Sequence, residues 1–207
     1  MQVRAIGLVL LGFLAGPAPA FTAYLNAASP QTVYLQVGVG SFTNNYLNGG
    51  QPQNNSTVNN ETVSIAANAL GNATAQAMTT NSTQTLSFWD GYTYCSVPGQ
   101  LYIGGFYRTT GATTAAAQVV ASVPASLMDA TGDTISFSTI SWVSSGNGDS
   151  GAEVFPTASF IAGGQQNIGS MASNSWNESC WAFSYSNRTV PRNGTYTGVV
   201  TYTLSSP

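Results

Sequence analysis

The side chains that usually move protons or hold metals are scarce in this chain. Its 207 residues include no histidine and no lysine, and only seven carboxylates. Without imidazole, most general-base and metal-site schemes have no obvious agent. The run Gly148-Asp149-Ser150-Gly151 copies the nucleophile motif of chymotrypsin-like proteases. With no histidine or lysine to take the serine proton, it reads as a polar turn. Two carboxylate pairs remain, Asp129 with Asp133 and Asp149 with Glu153. Either could serve a glycosidase or hold calcium. Both lie in glycine-rich turns, where aspartate is favoured for backbone reasons. The expectation is therefore a protein that is not an enzyme and needs no cofactor or metal.

The remaining chemistry is covalent stapling, ring stacking and modification. Two cysteines in an exported chain predict a single Cys95–Cys180 disulfide, which would contribute about 4 to 5 kcal/mol by loop-closure entropy. Zinc is excluded as the simple reading, because two cysteines without histidine do not make a tetrahedral set. Trp89, Trp142, Trp176 and Trp181 could form a sugar-stacking platform, or could fill the core and interfaces of a charge-poor domain. Trp181, beside Cys180, reads most simply as packing against the disulfide. Asn-x-Ser/Thr triplets begin at Asn54, Asn55, Asn60, Asn72, Asn81, Asn177, Asn187 and Asn193. They are candidate glycosylation positions if the protein is made by an archaeon or a eukaryote.

The elements that would position these residues begin after an export signal. Arg4, the apolar run Ile6 to Ala15 and Ala18-Pro19-Ala20 have the pattern of a signal peptide over residues 1–20. No later stretch is long and apolar enough to span a membrane. Charged residues are 5% of the chain, against roughly 25% in an average soluble protein. Such a surface offers no basic track to nucleic acid, and lacks one defence against strand-to-strand association. Thr32 to Phe42 alternates, with Val33, Leu35, Val37 and Val39 on one face, and predicts a half-buried strand. It belongs to an N-terminal extension over 21–43, followed by a polar linker or loop over 44–61 and a domain over 62–207.

Within that domain, Thr62 to Ala77 is ambiguous between strand and short helix. Strands are expected at Thr83–Trp89, Gln100–Tyr107, Ala115–Val123, Thr134–Trp142, Ala152–Ile161 and Cys180–Tyr185. Turns are expected at 129–133, 144–151 and 162–167. The chain ends on an alternating strand with Tyr196, Val200, Tyr202 and Leu204 facing one way and threonines the other. Short strands separated by turns make the fold all-β, a sandwich or barrel.

The ending VPRNGTYTGVVTYTL (190–204) resembles the closing strand of spore coat U-like and archaic chaperone–usher pilins. The early alternating run with Val33, Leu35, Val37 and Val39 fits the family's other mark. The resemblance implies an immunoglobulin-like β-sandwich with an N-terminal donor-strand extension. It implies a structural subunit of a secreted surface filament, whose partners are copies of itself, with a periplasmic chaperone and an usher. A related arrangement, an archaeal donor-strand filament, needs no usher. The alternative is a secreted carbohydrate-binding or adhesive sandwich in which Thr32–Phe42 is an ordinary first strand.

Overall fold

The computed structural model describes residues 32–109, 114–149 and 153–207. The expected signal peptide, and the extension before Thr32, lie outside the described residues. The chain enters on β1 (Thr32–Val37). β2 (Glu61–Thr62) and β4 (Thr79–Thr80) then form a two-stranded ribbon, while β3 (Gln76–Ala77), between them in the chain, pairs elsewhere. The long strands β5 (Leu101–Arg108) and β6 (Ala117–Val123) come next, then the short β7 (Ser126–Met128) and β8 (Thr134–Ser136). The remainder is β9 (Ile140–Ser145), β10 (Ala158–Ser159), β11 (Gly164–Met171), β12 (Ser175–Tyr185) and β13 (Thr201–Ser205). Helical structure among the described residues is confined to three single 3-10 turns.

Every pairing between strands is antiparallel. The larger sheet runs β1-β5-β12-β9-β10, with β3 also on β12, and the smaller runs β11-β6-β13. One apolar core lies between them. Ile103, Trp142, Trp181 and Phe183 reach it from the larger sheet, and Val119, Ala121, Ile168 and Met171 from the smaller. The protein is thus all-β and sandwich-like. Alternation explains the inward set: along β6 every second residue from Ala117 to Val123 is buried, and those between are partly buried or exposed.

Several expected elements differ. Thr83–Trp89 is not a strand and retains one bridge, Leu86 to Thr93. Its backbone is claimed locally instead: Ser82 Oγ accepts from the Gln84 amide (3.2 Å), Ser87 Oγ from the Trp89 amide (2.9 Å) and Asp90 Oδ1 from the Tyr92 amide (3.0 Å). Such i to i+2 bonds compete with a ladder. Thr134–Trp142 is cut in two by a 3-10 turn at Phe137–Thr139, where Ser136 caps the Ser138 amide. Among the described residues of 152–161, only Ala158–Ser159 forms a strand. The turn expected at 162–167 is confined to 162–163, and β11 takes over from Gly164, with Gln166, Ile168 and Met171 pointing inward around a bulge at Asn167–Gly169. The ambiguous 62–77 segment holds β2, a 3-10 turn at Ala67–Ala69 and β3. β12 begins five residues before the expected Cys180.

Candidate functional site

β1 forms one edge of the larger sheet, and the geometry around it is the most distinctive in the molecule. Among the described residues it pairs only with β5, from Thr32 opposite Arg108 to Val37 opposite Ile103. Its other side runs along β13, the edge of the facing sheet, without a ladder between them. Leu35 and Val37 pack against the core. The strand stops at Gly38, which adopts φ +80° and so turns the chain where a side chain would be strained. Val39 therefore lies beyond the paired run, and Val33 is 46% exposed. Of the four residues expected on the apolar face, Leu35 and Val37 are the two that reach the core.

The opposite face of β1 is covered as well. Gln36 is 4% exposed; it accepts from the Tyr34 hydroxyl (2.7 Å) and donates to the Gly38 carbonyl (2.7 Å). Tyr34, Phe106 and Trp176 stand in one cross-strand row. Tyr46 and Phe42 fold over that row from the 44–61 tract and its approach. The Tyr46 and Leu47 amides donate to the Phe88 and Trp89 carbonyls (2.8 and 3.0 Å). The polar tract is thus a loop laid across the sheet. Tyr46 stacks on Trp89, and the Arg108 guanidinium sits 4.8 Å from the Tyr46 ring centroid.

Next to this row lies a carboxylate that sequence reasoning missed. Glu178 accepts from the Ser87 hydroxyl (2.6 Å), the Tyr102 phenol (2.5 Å) and Trp176 Nε1 (2.8 Å). Burial pushes its carboxyl above the ordinary range, although those three donors pull the other way. The Tyr102 phenol is raised in turn, by burial first and by the Glu178 charge second. The phenol reaches Glu178 only because residue 104 has no side chain: a Cβ there would overlap the Tyr102 hydroxyl. At Gly105 a Cβ would overlap the Tyr34 carbonyl oxygen, so the second glycine lets β1 lie close to β5. The available signal was a rare acidic residue in an alternating aromatic strand, Trp176-Asn177-Glu178-Ser179-Cys180-Trp181.

The other sequence-derived residues fall in separate places. Cys95 and Cys180 are disulfide-bonded, with Cα atoms 5.6 Å apart, and pack with Tyr94 and Tyr102. Tyr202, Leu204 and Val200 pack against the core from the closing segment, while Tyr196 lies outside the strand and donates to the Arg192 carbonyl. Trp142 and Trp181 are fully buried, which leaves Trp89 and Trp176 on the outer face. Asp129 accepts from the Thr131 and Asp133 amides (2.9 and 2.8 Å), closing a turn, and Asp133 pairs with Arg192 (3.2 Å). Glu153 accepts from the Ser179 hydroxyl (2.7 Å). Ser150 of the protease-like motif lies outside the described residues.

Two of the candidate glycosylation positions are corrected by burial. Asn187 is 0% exposed; its Nδ2 donates to Ala69 O and Asn72 Oδ1, and its Oδ1 accepts from the Gly71 amide. Asn177 is 7% exposed, with Nδ2 on the Ser175 carbonyl. Neither has room for a glycan. Asn54, Asn55, Asn60, Asn72, Asn81 and Asn193 are exposed. Among the described residues, no group of three or more acidic or cysteine side chains could hold a metal ion, and no helix is long and apolar enough to cross a membrane. No family model, no curated protein and no solved structure matches this chain.

Proposed function

We propose that the protein is a structural subunit of an extracellular surface filament in which β1 of one copy takes the place beside β5 of the next. The observation that carries this reading is the position of β1. Among the described residues it sits at a sheet edge, and it covers a strand whose residues Leu101 to Tyr107 are all buried. Removing it would open a slot between β5 and β13, lined by the contacts that now receive Leu35 and Val37. The same slot accepts an equivalent strand from a neighbour through main-chain hydrogen bonds and alternate apolar side chains. In this reading the two sheets form an immunoglobulin-like sandwich, and the chain seen alone is the self-complemented form. Copies of itself are the partners, with a periplasmic chaperone and an usher where the assembly pathway uses them.

A secreted sugar-binding sandwich has less support, since two of the four tryptophans weighed for stacking lie in the core. The test compares the secreted protein with a form lacking 21–43. Electron microscopy should show filaments from the first and none from the second, whose stability should also fall. A secreted protein that stays monomeric at high concentration, with a truncated form equally stable, would rule the reading out.

A further inference from the structure

The exit of β1 is held by a strap, residues 59–62, that also pairs with β4. Asn59 Oδ1 accepts from the Val39 amide (2.7 Å), immediately after the Gly38 turn. Asn59 Nδ2 and the Asn60 amide both donate to Asn81 Oδ1 (3.0 and 2.9 Å), and the Asn81 amide donates to the Asn60 carbonyl (3.2 Å). Glu61 and Thr62 then pair with Thr80 and Thr79, and Val63 and Ile65 pack on the main core. Glu61 is the anomaly in this strap. Its Oε1 is buried and has no hydrogen-bond partner. Thr80 lies opposite it on β4, and the Glu61 charge is felt by the Tyr202 phenol on β13. Among the described residues the one ion pair, Arg192–Asp133, does not involve it.

We propose that Glu61 is a proton-operated latch: neutral, it keeps the strap closed over the end of β1, and ionised, it loosens the strap from β4. A buried carboxylate without a cation or a full set of donors is costly when charged and tolerable when protonated. Burial raises the Glu61 carboxyl to about 7, with Thr80 offsetting part of the effect. A folded-state value above the unfolded one means that the folded chain holds a proton which the unfolded chain releases. The strap is therefore firmest below the ordinary glutamate range, and weakens as pH rises through about 7. Resting on the filament reading above, the consequence is that β1 stays in its own slot in acid and is freed for a neighbour near or above neutrality.

The test uses the secreted full chain and the Glu61→Gln variant, which fixes the neutral side chain at nearly constant shape. Between pH 5 and pH 8 the melting temperature of the wild type should fall by several degrees more than that of E61Q. Amide hydrogen exchange at Val39, Asn60 and Thr80 should be at least tenfold faster in the wild type than in E61Q at pH 8, and equal at pH 5. Parallel pH profiles and equal exchange in the two proteins would overturn the latch. Filament formation gives the separate arm. Growth that is faster at pH 8 in the wild type only supports the regulatory role, whereas pH-independent growth with an intact melting difference overturns it. Absence of filaments in both proteins at both pH values removes the filament reading and leaves the latch to be judged by exchange.

Discussion

At the scale of single residues, Glu178 organises the outer face of the larger sheet. Its carboxylate gathers Ser87, Tyr102 and Trp176 from three different segments. Glu178→Ala would strand three donors at once, and the expected loss is about 3 to 5 kcal/mol in urea unfolding. Tyr102→Phe removes one charge-assisted bond and should cost about 1.5 to 3 kcal/mol by the same measurement. The pH dependence has a definite sign. Burial raises both Glu178 and Glu61, so stability should decline as pH increases from the ordinary carboxylate range through about 7, where Glu61 is half ionised. Little of this was legible in the sequence. The carboxylate pairs that stood out, Asp129 with Asp133 and Asp149 with Glu153, are near neighbours in the chain. The important contacts of Glu178 come from residues as far as 91 positions away, and no local pattern encodes them.

At the scale of elements, β1 is half-buried on each face, and its two inward side chains can be weighed. Leu35→Ala and Val37→Ala should each cost about 1 to 3 kcal/mol, in proportion to the apolar area removed from water. Both changes should also speed amide exchange along β5, a readout distinct from global unfolding. Alternation correctly marked β1 and β13, and strands were rightly expected at β5, β6 and the C-terminal half of β12, since each sends side chains into the shared core. It failed where polar residues fold inward or bond locally. β11 was hidden by its glutamines, of which Gln166 is buried and bridges Ile161 to Ser159. Thr83–Trp89 has a strand's pattern but serine side chains that occupy the next amides, and it becomes a loop over the sheet. The cover over Tyr34 and Gln36 was not legible, because nothing in the sequence announces that residues 42–46 return across that face.

At the scale of the molecule, one covalent link and few charges set the behaviour. The Cys95–Cys180 bridge spans 85 residues. Replacing both cysteines with serine should lower stability by about 4 kcal/mol, read as a shift in the urea midpoint, if loop closure accounts for its contribution. Secretion from a host that N-glycosylates would sort the sequons by burial. Intact-mass and peptide mapping should find no glycan on Asn187 or Asn177, while exposed positions such as Asn60 and Asn193 remain open to one.

Gly105 has a consequence for any assembly built this way. An alanine there would collide with the Tyr34 carbonyl whether that carbonyl comes from the same chain or from a neighbour. A Gly105→Ala copy could still lend its own first strand, yet could receive none. Mixed into wild-type protein at a few parts per hundred, it would act as a one-sided terminator, and fibre length would shrink in proportion to the dose.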